Sequence, residues 1–323
     1  TMHLLTYNLF LRPPLIRSGP SDYKEARLEQ FACEVLPHYD VVAFQELFAF
    51  ANGRRDTLLR RARAAGLPHH AVCPVPGLWE GRIDAGLAIV SRFPIVKTAL
   101  LTYDRGIHSD WLAAKGVLYA KLAVLPNRHV HVFTSHTQAS YEMAPGEDSP
   151  SRQIRERQLA RAARFMVRTL LKTRDRLDDP VLFCGDLNVN ARPMAATPPT
   201  AEPPSPTPSP RSDAAGAVSL AAAESPKPLT TPASPARRRP FAVFHDLLPR
   251  VKGYPPPPTT TNVLPGRTDD GKCLDYIFLV ETPVGAAAAN PIASGTIKIR
   301  DVAVRPFPVS NQPYEHLSDH CGV

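Results

Sequence analysis

At 323 residues, with 43% hydrophobic and 21% charged residues, the chain has the composition of a soluble globular protein with ample material for one large domain or two ordinary ones. A formal charge of +8 suits an anionic partner such as a phosphate ester, nucleic acid or an acidic membrane surface, or else Arg-rich helices that only solvate the fold. Five cysteines, odd in number and without a CxxC pair, exclude a zinc ribbon and a dense disulfide framework. Cys33 and Cys184 sit among apolar neighbours and read as small buried thiols, while a single long-range disulfide stays open.

No window approaches the roughly 20 apolar residues of a membrane span, and the opening Thr1-Met2-His3 lacks the charged region and cleavage site of a signal peptide. In chain order, strand-like runs fall at His3–Tyr7, Val41–Phe44, Gly86–Val90, Gly116–Val124, His129–Thr134, Val181–Cys184, Leu274–Val280 and Ile297–Val304. Helical patterns lie between them. Tyr23–Leu36 puts Leu28, Phe31, Ala32 and Val35 on one stripe, and Thr57–Ala65 is a shorter stretch. Arg152–Arg174 sets Leu159, Ala162, Met166 and Leu170 against arginines, with Ser149 or Ser151 as its cap. Strands interleaved with helices and with a hairpin over Gly116–Thr134 predict an α/β architecture with mixed sheets. From about Ala191 to Pro240 the sequence turns to Pro, Ala, Ser and Thr ("TPPTAEPPSPTPSP"). Such a stretch cannot bury enough apolar surface to offset its ordering entropy, so a disordered insertion interrupting a single domain over 1–323 is predicted. The chain stops at Cys321-Gly322-Val323 as a further apolar strand begins, which reads as a domain of a longer protein and leaves its compartment open.

The strand ends carry an unusual set of side chains. "LFCGDLNVN" runs an apolar strand into Asp186 and Asn188, and the period-two rule would project both together. Tyr7-Asn8 follows "HLLT", Gln45-Glu46 follows "VVAF", His136 lies three residues past "HVHVF", Asp275 stands at the head of "LDYIFL", and Asp319-His320 precede "CGV". Turn formation explains any one of these. It does not explain six, because buried carboxylates need partners. Glu46, Asp186, Asp319, Asn8 and Asn188 offer hard oxygen ligands that suit Mg²⁺ rather than zinc. His136 and His320 add acid–base capacity near neutral pH, and with no nucleophilic Ser or Cys elbow in view the set points to metal-assisted hydrolysis of a phosphate ester.

The ordered series "TYNLF", "VVAFQELF", "GLAIVSRFPI", "SHTQAS", "CGDLNVN", "LDYIFL" and "LSDHCGV" resembles the endonuclease/exonuclease/phosphatase superfamily. Within it, "FQELFAFANGRRDTLL", "KGVLYAKL", "HTQAS" and "GDLNVN" are similar to the neutral sphingomyelinases of the bacterial sphingomyelinase C type. The resemblance implies a four-layer α/β sandwich, two packed mixed sheets flanked by helices, with the polar rim at one end. It also implies roles. Glu46 would hold Mg²⁺ with Asn8 alongside, His320 would be the general base, and Asp275 would orient the imidazole. Asp319 would assist the metal or the histidine, and Asp186 with Asn188 would position water and steady the phosphoryl group. His136 would stabilise the transition state or protonate the leaving group.

The resemblance thus implies a phospholipase C type phosphodiesterase that cleaves sphingomyelin, or a related choline phospholipid, to ceramide and phosphocholine. Peripheral membrane contact and a monomer are the matching expectations. The alternatives are a metal-dependent endonuclease, with nucleic acid as its partner, and a catalytically idle scaffold. The motifs differ from those of the inositol-polyphosphate phosphatases ("PAWCDR"-like strand) and of the apurinic endonucleases, whereas pancreatic-type deoxyribonucleases share the histidine of "HTQ". Phe48, Phe50, Trp79, Trp111 and Phe307 are candidates for lipid-facing loops, although each could pack on the rim instead. Asp110 and Lys115 flank "WLAA" ahead of "KGVLY" and could pair to fix a loop or the substrate near the site, or stand solvated.

Overall fold

The computed structural model describes residues 1–14, 16, 22–141, 149–192, 242–260, 271–281 and 298–323. Most of the Pro-rich stretch predicted as a disordered insertion, residues 193–240, lies outside the described residues. Four strands, β1 (Leu4–Leu11), β2 (Val41–Leu47), β3 (His69–Val72) and β4 (Ala88–Ser91), form a sheet in the order β1-β2-β4-β3. Six more, β5 (Ile95–Thr102), β6 (Gly116–Leu125), β7 (Arg128–His136), β8 (Val181–Asp186), β9 (Val243–Asp246) and β10 (Asp275–Glu281), form a second in the order β5-β6-β7-β8-β10-β9. Each sheet is mixed: β1–β2 and β7–β8 are parallel, and the remaining pairs are antiparallel.

Strand alternation builds the layers. Val41 and Ala43 of β2 point inward and meet Leu118, Ala120 and Leu122 of β6, Val132 of β7 and Cys184 of β8 in the core between the sheets. Their neighbours Val42 and Phe44 point the other way, with Leu5, Tyr7 and Leu9 of β1, onto α1 (Lys24–Glu34) and α2 (Arg54–Ala64). On the second sheet Tyr119, Phe133 and Phe183 face Ala162, Met166 and Leu170 of α3 (Pro150–Thr173). Helix, sheet, sheet, helix is the predicted four-layer sandwich. Ser149 caps α3, its hydroxyl accepting the Arg152 N–H at 3.3 Å.

Several expectations shift. α1 ends at Glu34 and passes into a 3-10 turn over Leu36–His38, because Pro37 has no N–H to continue an α-helix. Cys33 is exposed rather than buried, since it lies on the face of α1 opposite Leu28 and Phe31; sequence neighbours in a helix do not share its environment. All five thiols are free, which closes the disulfide question. No strand forms over 298–304, the described part of the predicted run 297–304; only an isolated bridge pairs Arg305 with Gly322. β3 and β9, four residues each, and the edge strand β5, half-exposed along its length, lack the apolar alternation that a sequence reading needs.

Topology decides where the polar ends go. Helices α1 and α3 return the chain so that β1 and β2, and β7 and β8, run in parallel. The C-terminal halves of these strands therefore deliver Asn8, Glu46, His136 and Asp186 to one edge of the sandwich. β10 and β6 run against their neighbours, so their starts arrive there too, with Asp275 opposite Asp186 and Lys115 just ahead of Gly116. The last segment is drawn in by two bonds between Thr6 and Val323, which set His320 beside Asp275.

Candidate active site

Two backbone features shape the rim before any side chain acts. Gly185 has φ 131°, and a Cβ there would stand 2.0 Å from the Ser135 carbonyl oxygen; only glycine lets β8 close on β7 just before Asp186. Glu46 has φ 55°, a left-handed conformation that costs a non-glycine residue on the order of 1 kcal/mol or more. It is held by Gly86, where a Cβ would lie 3.0 Å from the Glu46 Cα, and by Asp84, whose buried carboxylate accepts the Ala49, Phe50 and Gly86 N–H groups. That kink aims the Glu46 side chain at Asn8.

From Glu46 the site runs as one connected chain of polar groups. The Asn8 amide donates to Glu46 Oε1 at 3.1 Å and to Asp186 Oδ2 at 3.0 Å, while its own oxygen accepts the Phe10 N–H. Asp186 Oδ2 lies 3.6 Å from His320 Nε2 and 3.5 Å from His136 Nε2. His320 Nδ1 is 2.8 Å from Asp275 Oδ2, which also accepts the Thr259 hydroxyl at 2.7 Å. Asp275 is therefore bound to keep the His320 proton on Nδ1, which turns Nε2, the basic nitrogen, toward Asp186.

On the other side of Asp186, Lys115 is buried. Its Nζ reaches Asp110 Oδ1 at 2.9 Å, His136 Nε2 at 3.2 Å and the Thr137 carbonyl at 2.7 Å. Asp110 in turn accepts the Ala139 N–H at 2.7 Å. The pair suggested by the spacing around "WLAA" is thus a buried contact, not a solvated one. A loop is fixed by it, and a cation is placed against a site histidine.

The electrostatics divide the two imidazoles. Burial, then the Lys115 and His320 charges, hold His136 well below the usual imidazole range, so it is neutral. Burial alone would lower His320 as well, but Asp275 and Asp186 more than offset it and raise His320 well above that range. Burial raises Glu46 and Asp319, and the nearby Asp319 charge raises Glu46 further. Burial also lifts Asp186, to about 7. The charges of His320, Lys115, Arg27 and Arg12 do not fully offset the burial of these three carboxyls, and Glu46 Oε2 is buried with no hydrogen-bond partner. Hard oxygen donors around an orphaned carboxylate oxygen fit a divalent cation such as Mg²⁺. Asp186, Asp275 and His320 also offer donor atoms within 4.8 Å of one another, but the bond from His320 to Asp275 accounts for that closeness.

Asn8, Glu46, His136, Asp186, Asp275 and His320 are brought together, with Asp110 and Lys115 joined through His136. Asp319 is half-buried beside them; its carboxylate meets the Ser318 hydroxyl at 3.3 Å and acts on Glu46 through space. Asn188 departs from the expected strand alternation. β8 ends at Asp186, and Asn188 has φ 52°; its N–H binds Asp186 Oδ1 at 3.0 Å while its amide donates to the Thr137 carbonyl at 3.1 Å. An Asx-type turn, not a shared strand face, couples it to Asp186. Among the candidate lipid-facing aromatics, Phe48 is buried and Phe307 packs edge-on against Tyr7, whereas Phe50, Trp79 and Trp111 stand exposed. Sequence reading missed Thr259, Asp84 and Ser318. Ser318 donates to the Asn8 carbonyl at 2.6 Å and accepts the His320 N–H at 3.1 Å. Thr259 sits in "PPPPTTTN", where nothing local marks one threonine from the next.

Two mixed sheets packed face to face under helices, with carboxylates, an amide and two imidazoles gathered where parallel strands end, define the sandwich of the endonuclease/exonuclease/phosphatase class. The model of the Endonuclease/Exonuclease/phosphatase family matches residues 5–320, and the chain belongs to that family. A sphingomyelinase of Dictyostelium discoideum is 29% identical over 205 residues, covering 56% of this chain and 43% of the relative. Sphingomyelinase C of Bacillus cereus is 29% identical over 201 residues, covering 59% and 57%. The chain therefore spans about half the length of these curated relatives. The crystal structure of humanized D. rerio TDP2 superposes with a TM-score of 0.58 over 99% of this chain and 96% of that one; at 14% identity it speaks to the fold alone. Among the described residues no helix is long and apolar enough to cross a membrane.

Proposed function

We propose that this chain is a Mg²⁺-dependent phosphodiesterase of the phospholipase C type that hydrolyses sphingomyelin, or a related choline phospholipid, to release phosphocholine. The reaction class rests on one observation: an unbroken hydrogen-bonded and ionic path from Thr259 through Asp275, His320, Asp186 and Asn8 to an unpartnered oxygen of Glu46. The choice of substrate rests on the relatives named sphingomyelinase, together with the motifs "HTQAS" and "KGVLYAKL".

Glu46 would hold the cation, which supplies Lewis acidity at a phosphoryl oxygen and balances the clustered carboxylates. Asn8 fixes the Glu46 and Asp186 carboxylates relative to each other. His320 takes the proton of the attacking water at Nε2, because Asp275 occupies Nδ1–H. Asp186, between His320 and His136, orients the water, and Asn188 holds the turn that places Asp186. His136 is neutral and its Nε2 accepts from the Lys115 ammonium, so it does not protonate the leaving group, and Lys115 supplies the positive charge there.

The test is hydrolysis by purified protein with Mg²⁺ of sphingomyelin vesicles and of plasmid DNA, with H320A as control. The expected result is phosphocholine release that H320A and EDTA abolish and that added Mg²⁺ restores. Nicking of DNA without phosphocholine release would replace this reading by the endonuclease, and silence on both by the scaffold.

A further inference from the structure

The chain has two tryptophans, and the fold brings both to one place. Trp79 lies in the 3-10 turn Leu78–Glu80 and Trp111 in the 3-10 turn His108–Trp111. Trp79 is 100% solvent-exposed, and Trp111 and Leu112 are 49% and 44% exposed. Large apolar side chains so exposed mark a contact surface when they cluster.

These turns are not independent loops. Arg105 clamps them together: its guanidinium donates to the Glu80 carbonyl at 2.8 Å, the Gly81 carbonyl at 3.3 Å and the Trp111 carbonyl at 3.4 Å, and lies 4.2 Å from the Trp111 ring centroid. A bridge pairs Ile83 with Ala113, with backbone bonds of 2.9 Å from Ile83 to Leu112 and 3.0 Å from Ala114 to Ile83. The two turns therefore form one preformed backbone unit, with the Trp111 ring held against Arg105 and the Trp79 ring projecting freely into solvent. Its position is fixed as well, since Trp111 directly follows Asp110, whose carboxylate holds Lys115 against His136. The platform is thus one peptide bond from the residue that positions Lys115 beside His136.

We infer that the Trp79–Arg105–Trp111 platform is the surface by which the protein docks on the interface of a zwitterionic phospholipid bilayer. Indole rings favour the headgroup boundary, where an apolar body and a polar N–H are both accommodated. Two turns already tied together anchor them at lower ordering cost than two independent loops would. The cationic Arg105 between the two turns would offer its charge to lipid phosphates. The inference rests on the lipid-substrate reading for its biological sense, and its test is kept separate from it by reading binding without turnover.

Because Trp79 and Trp111 are the sole tryptophans, intrinsic emission reports from this surface and nowhere else. The probe is unilamellar vesicles of pure phosphatidylcholine, with and without brominated acyl chains, added to the full chain in EDTA. The expected result is a blue shift of tryptophan emission and quenching by the brominated lipid. W79A and W111A should each weaken vesicle binding roughly tenfold, as expected for losing one inserted ring, and W79F should retain most of it. Hydrolysis of the soluble diester p-nitrophenyl phosphocholine with Mg²⁺ should change less than twofold in the same variants, which also shows that they are folded. Binding with a blue shift but no sphingomyelin hydrolysis would sink the substrate reading and leave the docking surface standing. Emission indifferent to vesicles, emission altered by duplex DNA instead, or vesicle binding unchanged in W79A/W111A would each overturn the docking surface.

Discussion

Replacing Asp275 by Asn tests the reasoning at its centre. Asp275 is fully buried, accepts from His320 Nδ1 at 2.8 Å and from Thr259 at 2.7 Å, and has its second oxygen unpartnered. Asparagine keeps the volume and can still accept from Thr259, but it removes the charge that fixes the imidazole proton on Nδ1. An equivalent carboxylate-to-amide change in a catalytic triad lowers kcat about 10⁴-fold (the magnitude known for serine proteases), so a loss on the order of 10³–10⁴, or about 4–5.5 kcal/mol of barrier, is expected for D275N. The pH profile should move as well. Because Asp275 and Asp186 raise His320 despite burial, the neutral base forms only as pH climbs through a raised pKa, and the wild-type rate rises along that limb. With the Asp275 charge gone, the limb should shift to lower pH while the plateau falls. The assay is kcat against pH on a soluble phosphocholine diester at saturating Mg²⁺, with a thermal melt to establish folding. A folded D275N with kcat within threefold of wild type, or an acid limb that stays in place, refutes the role given to the pair.

Other outcomes follow from the same structure. K115M should cut kcat on the order of 10²-fold with little change in KM, by removing the cation beside His136; D110N/K115M should recover the stability lost to an unpaired Asp110 without recovering activity, as thermal melts and kinetics would show. Far from the site, burial holds His131 down to about 3, where its Nδ1 meets the Tyr119 hydroxyl at 2.8 Å. Above about pH 6.5 both folded and unfolded His131 are neutral; below it the unfolded chain binds the proton first, so stability falls with pH at roughly 1.4 kcal/mol per unit. H131Q should abolish that part of the decline, roughly 2–3 kcal/mol by pH 4.5 in urea titrations, and identical acid limbs would contradict it. Replacing residues 194–239 of the Pro-, Ala-, Ser- and Thr-rich stretch by a short Gly/Ser linker should leave kcat and Tm unchanged; a collapse in folding would disprove the insertion reading.

Much of the site was legible because strand ends are local features: an apolar run that stops at Asp186, Glu46 or His136 shows in the sequence as readily as in the fold. The period-two pattern in β2, β6 and β7 and the 3.6 pattern in α3 likewise determined which faces are apolar, and hence a layered α/β architecture. Local pattern could not say which strands run parallel. That pairing, set by the returns through α1 and α3, decides that the ends of β1, β2, β7 and β8 meet the starts of β6 and β10 at one edge. It could not give backbone conformations fixed by distant atoms either: Glu46 in the left-handed region against Gly86, or Asn188 turned from the strand onto Thr137. Nor could it distinguish an ion pair in water from one buried beside a histidine, the difference between the two readings of Asp110 and Lys115. The sequence by itself determined the residue types and their order, which is enough for the class of chemistry. Tertiary structure alone decided which of those groups share a proton, because hydrogen bonding and desolvation depend on approaches of a few ångströms between residues far apart in the chain.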